Sequence, residues 1–157
     1  MTVSQPPFQR FLDAHREDVW RFLVAAVGRD AADDCFQETF LSAMRAYPKM
    51  RPDNPRAWVL TIAHRKALDH FRARRRRPVP VGDDLPEAPA PPDPEPRDDG
   101  VWARVHALPP KQRAAVLLRF AGDLSHREVA LALGVSEDAA RRNAFEGLRR
   151  LRQEMTA

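Results

Sequence analysis

Two clusters of arginine carry the most pronounced chemistry in this sequence. Between Arg65 and Arg77 there are seven Lys or Arg against one Asp, and between Arg141 and Arg152 five Arg against one Glu. A guanidinium is permanently charged, pairs with phosphate, and can read a guanine edge through two parallel hydrogen bonds, so both clusters point to nucleic acid. Cations at a helix C-terminus offset the macrodipole, but the five arginines Arg72, Arg74, Arg75, Arg76 and Arg77 exceed that need. A phosphate-neutralising surface follows, with binding that weakens steeply as salt rises. The second cluster lies in a more specific pattern. Ser125 can cap a helix ending at Leu133, Gly134 breaks the chain, and Ser136 opens a last helix in which Ala140, Ala144, Leu148 and Leu151 share one face. Helix, short glycine turn, helix is the DNA-binding helix-turn-helix pattern. Its first turn and outer face carry Glu137, Asp138, Arg141, Arg142 and Asn143, with Arg149, Arg150 and Arg152 beyond, which makes Arg141 and Arg142 candidates for base reading. Taken alone, the same segment also reads as a solvated charged helix of a bundle.

A third constellation differs in kind. Asp34, Gln37, Glu38 and Leu41 recur at i, i+3, i+4 and i+7, which puts two carboxylates, an amide and an apolar side chain on one helical stripe. Such a stripe repels DNA. By composition it is a wet helix face, and Leu41 alone suggests a protein partner. Catalytic chemistry finds no footing. The five histidines show no metal-ligand spacing with one another or with Cys35, and no phosphate-cradling loop can be built from the six glycines, so no metal, cofactor or enzyme activity is expected. Cys35, beside Asp34, reads as a buried core thiol, and a single Cys excludes an intrachain disulfide.

The elements that must position these residues follow from the punctuation. Eight of the fifteen prolines and seven acids fall between Pro78 and Asp99, in a stretch with almost no large apolar side chains. This Pro-rich acidic linker, assigned to residues 78–100, separates residues 1–77 from residues 101–157, each too short for a large core. In the first part, helix one runs from Phe8 to Gly28. Helix two starts with Asp30 as its cap and ends before Pro48, and helix three runs from about Arg56 to Arg75 after Asp53 or Asn54, burying Val59, Ile62, Ala63, Ala67 and Phe71. In the second, a short helix from Val101 to Leu108 and one from Pro109 to Phe120 precede the helix-turn-helix. No segment alternates with period two, so the fold class is all-α, two small helical domains joined by the linker. No apolar run approaches the ~20 residues that cross a bilayer, and no leader pattern opens the chain, so a soluble cytoplasmic protein without membrane insertion is expected.

At this point the residues resemble a known family. DAADDCFQETFLSAMR (Asp30 to Arg45) and RAWVLTIAHRKALDHFR (Arg56 to Arg72) are similar to region two of sigma-70 factors of the extracytoplasmic-function type. The stretch from Leu108 to Arg152, LPPKQRAAVLLRFAGDLSHREVALALGVSEDAARRNAFEGLRRLR, is similar to their region four. The resemblance implies a promoter-specific initiation factor that binds core RNA polymerase and melts DNA by capturing the unpaired strand. It assigns Asp34, Gln37, Glu38 and Leu41 to the clamp of the largest polymerase subunit, and the Pro109 to Phe120 helix to the flap of the second-largest. Tyr47, Lys49, Arg51 and Asn54 fall in the loop that holds a flipped base of the minus-ten element, and Arg56, Trp58, Thr61, Arg65 and Arg72 in the helix contacting that element. Ser136, Glu137, Asp138, Arg141, Arg142, Asn143 and Arg149 correspond to the reader of the minus-thirty-five element. Many relatives pair with an anti-sigma factor, which would compete for the polymerase-binding faces, and the linker acids would run near the RNA exit path. Arg65 stands where relatives often carry Asn, and Asn143 and Glu146 stand where basic residues are usual. An acid facing phosphate costs affinity, so the preferred promoter does not transfer. Two alternatives stay open: a free-standing helix-turn-helix regulator, and a sigma-like protein that holds polymerase without initiating.

Overall fold

The computed structural model describes residues 7–50, 53–76 and 100–156. Residues 78–99 of the expected linker, Arg51 and Arg77 lie outside the described residues, whereas Gly100, assigned to the linker, caps the first helix of the second unit. The first unit is three helices, α1 (Phe8–Val27), α2 (Arg29–Ala46) and α3 (Pro55–Arg76), each packed on the other two. Apolar residues at helical spacing account for them. α1 buries Phe11, Val19, Phe22, Leu23, Ala25 and Ala26, α2 buries Ala32, Cys35, Phe40 and Ala43, and α3 adds Val59, Leu60, Ala63 and Ala67. Ile62 and Phe71, expected inside, are only half-buried. Gly28 alone joins α1 to α2, so α2 starts at Arg29 and Asp30 lies in its first turn rather than at its cap. There its carboxylate still favours the helix dipole. At α3, Asn54 rather than Asp53 is the cap: its Oδ1 accepts from the Ala57 amide at 3.0 Å, and Pro55 follows where a missing N–H costs nothing.

The second unit contains α4 (Val101–His106), α5 (Pro110–Val116), α6 (His126–Leu133) and α7 (Glu137–Thr156). A π-helical turn over Leu117–Ala121 extends α5 to the length expected from sequence. Ser125 and Glu128 close a reciprocal capping box on α6, with Ser125 Oγ accepting from the Glu128 amide at 3.1 Å and Glu128 Oε1 from the Ser125 amide at 2.9 Å. Gly134 ends α6 in the left-handed region at φ 66°, which only glycine adopts without strain and which turns the chain into α7. Ser136 Oγ accepts from the Ala139 amide at 3.1 Å and caps α7.

α7 crosses α5 closely because Gly147 lies at the crossing. A Cβ there would meet Val116 Cγ2 at 2.6 Å and the Gln112 carbonyl oxygen at 3.4 Å. Val116 is buried and stiff at χ1, so it cannot swing aside. Gly147→Leu is expected to destabilise the protein by roughly 1 to 3 kcal/mol, the usual cost of overpacking, despite leucine's better helix propensity. Urea unfolding of the variant beside wild type measures it.

The two units touch, which the sequence reading of two linked domains did not anticipate. α1 packs on the Leu117–Ala121 turn and α3 on α6, and the buried apolar residues of both units belong to one connected cluster. His106 Nε2 lies 2.8 Å from the Ala25 carbonyl oxygen, and the Arg113 guanidinium sits 5.4 Å over the Phe71 ring, a cation–π contact across the boundary.

Candidate nucleic-acid and polymerase interfaces

The outer face of α7 is set by its inner one. Ala140, Ala144, Gly147 and Leu151 face α5 and α6, so the opposite side presents Asp138, Arg141, Arg142, Phe145 and Arg149, all exposed. The arginines are not equivalent. Arg141 reaches back to Glu137 at 3.2 Å and Asp138 at 3.7 Å, so its fork is partly neutralised within its own helix. Arg142 and Arg149, two turns apart on the same stripe, are the arginines of this face that form no such intrahelical pair among the described residues. Asn143 is half-buried at the flank of the face. Glu146, expected to oppose phosphate, turns towards α5 and accepts from Gln112 Nε2 at 3.4 Å. The repulsion anticipated from sequence is thereby reduced. Sequence reasoning missed Phe145. It is 64% exposed in the middle of the charged face, and the signal was available: it falls outside the register of Ala140, Ala144 and Leu151, on the side of Arg141 and Arg142.

On α3, the positions Asn54, Trp58, Thr61, Arg65 and Arg72 follow one another at helical spacing along the side away from the core. Asn54, Arg65 and Arg72 are exposed, and Trp58 and Thr61 are half-buried. Thr61 Oγ1 donates to the Ala57 carbonyl at 2.8 Å, while the Trp58 ring meets Phe11 edge-on at 5.7 Å. Two expected members of this group lie elsewhere. Tyr47 is only 8% exposed, its ring packed on Phe8 and Phe11 at 5.4 and 5.3 Å, so it anchors the loop to the core instead of facing a ligand. Met50, in the same loop, is buried as well. Arg56 points off the stripe, its Nε donating to Asp18 at 3.0 Å and its Nη1 to the Asp123 carbonyl of the second unit at 3.4 Å. Lys49 is exposed on the 3-10 turn formed by Tyr47–Lys49.

The stripe on α2 is present as spaced. Asp34, Gln37, Glu38 and Leu41 are all exposed, and Met44, which the sequence reading left out, continues them at 50% exposure beside Leu41 at 49%. Two adjoining apolar side chains at the end of an acidic stripe form a surface suited to a protein with a basic and apolar face, not to phosphate. Beneath it, Cys35 is buried, and burial, reinforced by Glu38, Asp34 and Asp69, pushes its thiol up to about 11. It stays protonated and unreactive at neutral pH. Among the described residues no cluster of His, Cys, Asp or Glu could hold a metal ion, and no helix is long and apolar enough to cross a membrane.

The helices that carry these surfaces lie within two segments that match known sequences. Residues 11–77 match the model of sigma-70 region 2, and residues 99–151 that of sigma-70 region 4. The RNA polymerase sigma factor CarQ of Myxococcus xanthus is 30% identical over 156 residues, covering 96% of this chain and 90% of CarQ. The ECF RNA polymerase sigma factor SigC of Mycobacterium tuberculosis is 41% identical over 71 residues, or 45% of this chain and 38% of SigC; the match thus spans well under half of that relative. Among solved structures, RpoE of Bartonella quintana, crystallised with the anti-sigma factor NepR, superposes with a TM-score of 0.75 at 19% identity, covering 96% of this chain and 97% of RpoE. That likeness is one of fold. With both region models in order along the chain and a relative matched nearly end to end, the chain belongs to the sigma-70 family of RNA polymerase sigma factors, of the extracytoplasmic-function type.

Proposed function

We propose that this chain is a dissociable subunit of bacterial RNA polymerase that selects promoters and holds their melted strand. The observation that carries the reading is the division of labour among three helices. α7 presents a basic face with one exposed aromatic, α3 a polar and basic stripe with a tryptophan, and α2 an acidic stripe ending in Leu41 and Met44. A DNA-only regulator has no use for the third surface.

In this reading α7 enters the major groove at the minus-thirty-five element with Ser136, Glu137, Asp138, Arg141, Arg142, Asn143 and Arg149 along it. Arg142 takes the part of the guanine reader, since Arg141 is engaged by Glu137 and Asp138. Asn54, Trp58, Thr61, Arg65 and Arg72 receive the minus-ten strand, helped by Lys49 and Arg51. A half-buried indole offers a stacking surface to an unpaired base, a contact of about 1 to 3 kcal/mol. Asp34, Gln37, Glu38, Leu41 and Met44 dock on the clamp of the largest polymerase subunit, and α5 with its π-helical turn on the flap of the second-largest. The work is done by binding energy, without a catalytic residue or cofactor, and in the cytoplasm where polymerase acts. The RpoE structure, captured with its anti-sigma factor, supports an anti-sigma partner for this chain too.

Phe145 supplies the sharpest test of the α7 assignment. An exposed phenyl among arginines can rest on a thymine methyl, so Phe145→Ala should relax the preference for thymine at one position of the upstream element. The expected loss there is about 1 kcal/mol, with no change at the other positions. Transcription from a promoter library by polymerase reconstituted with either protein measures it. A uniform loss across all sequences would instead mean that Phe145 reads no base.

A further inference from the structure

The charged face of α7 is not uniform along its length. Its first turn carries two acids, Glu137 and Asp138, and phosphate repels both. A carboxylate at a helix N-terminus favours the fold, because it meets the positive end of the macrodipole. That accounts for either acid, but not for how differently the two are held. Glu137 pairs with Arg141 at 3.2 Å and is 51% exposed. Asp138 lies 3.7 Å from the same guanidinium, at the loose end of an ion pair, and is 89% exposed. Their positions differ as well. Asp138, Arg142, Phe145 and Arg149 recur at i, i+4, i+7 and i+11, one exposed line opposite the buried Ala140, Ala144, Gly147 and Leu151. Glu137 lies off that line, on the side of Arg141.

A carboxylate leading the line that faces the groove is repelled by DNA unless a base edge offers it a hydrogen. In the major groove guanine and thymine present it with acceptors only. Adenine presents an amine beside the N7 acceptor, whose lone pair opposes a carboxylate. Cytosine presents its N4 amine with no acceptor on the same base. Arg141, lying between the two acids, and the helix N-terminus offset part of the repulsion from the DNA backbone.

We propose that Asp138 reads a cytosine of the upstream element by accepting from its N4 amine, so that the acid in the first turn of α7 selects a base. This rests on the placement of α7 in the major groove given above, and adds a base and a register to it. With a rise of ~1.5 Å per residue, Arg142 lies about 6 Å and Phe145 about 10 Å beyond Asp138 along the helix. Bases are ~3.4 Å apart along a strand, so the positions read by Asp138, Arg142 and Phe145 fall in that order within about four base pairs.

Transcription from a promoter library randomised across the upstream element, by core polymerase with wild-type protein, D138N or D138A, gives the base preference at every position. Wild type should favour cytosine at one position by roughly tenfold over guanine or thymine. An amide both donates and accepts, which suits N6 and N7 of adenine. D138N should therefore move the preference at that position from cytosine to adenine, with the other positions unchanged. D138A should lose the preference there alone. R142A should relax a position lying between that one and the position that responds to F145A. Unchanged preferences in D138N and D138A, with output raised evenly on all sequences, would mean that Asp138 only repels phosphate. That result overturns the proposal and leaves α7 as the upstream reader. A position for Asp138 anywhere but at the end of the series overturns the register. Absence of factor-dependent transcripts with the wild-type protein overturns the assignment of α7 to a promoter, and the proposal with it.

Discussion

Glu38→Lys is expected to weaken binding to core RNA polymerase by about 100-fold, or ~3 kcal/mol, while leaving the fold intact. Glu38 is exposed in the middle of the α2 stripe, between Asp34 and Gln37 on one side and Leu41 and Met44 on the other. No hydrogen bond or ion pair of the described structure depends on its carboxylate, so a surface substitution there costs the isolated protein little. In the complex the change is severe, because a carboxylate that met basic groups is replaced by an ammonium that repels them in a partly desolvated interface. Leu41→Ala removes only apolar area and should cost less, roughly 1 kcal/mol. Fluorescence anisotropy of labelled protein titrated with core enzyme gives both values, and circular dichroism shows whether the helices survive.

Acid should destabilise the protein through His64. Its ring is 4% exposed, its Nε2 has no hydrogen-bond partner, and Phe22 lies 6.4 Å away. Burial, with the charges of Arg113 from the second unit and Arg65, pushes its pKa down from 6.5 to about 4. The sign follows directly. Above pH 6.5 the ring is neutral in both folded and unfolded states and the protein suffers no penalty. Between pH 6.5 and 4 the unfolded chain takes up a proton that the folded chain refuses, so stability falls as pH falls, by roughly 3 kcal/mol over the window. His64→Gln, which cannot titrate, should be flatter by roughly 2 kcal/mol when urea unfolding is compared at pH 7 and pH 4.5. Parallel curves for the two proteins would mean that His64 protonates without difficulty where it sits.

Periodicity, caps and breakers made most of the helices legible before any coordinates. Ser125, Gly134 and Ser136 lie where the sequence placed them, because a capping box, a left-handed glycine and a helix cap act over three or four residues. The α2 stripe was legible for the same reason, since i, i+3, i+4 and i+7 on one helix need no tertiary information. What depended on contacts between distant segments was not. Tyr47 looks like an available aromatic until the rings of Phe8 and Phe11 cover it, and Glu146 looks like an acid facing solvent until Gln112 meets it from α5. Arg56 has the composition of a DNA contact but faces Asp18, 38 residues earlier. Phe145 and Met44 were overlooked for a different reason: an apolar side chain is read as core by default, even where, as for Phe145, it falls outside the register of its helix's apolar face. The closed arrangement of the two units was least legible of all, because its contacts join residues such as Asn54 and Glu128 that lie 74 positions apart.

The central claim is tested most directly by run-off transcription from genomic fragments with purified core polymerase, this protein, and its Glu38→Lys variant, followed by sequencing of the 5′ ends. The wild-type protein should produce a set of start sites absent with core alone, sharing one upstream element, and the variant should lose them at protein concentrations that saturate wild type. Core binding by the wild-type protein with no factor-dependent start site would contradict its assignment as an initiation factor.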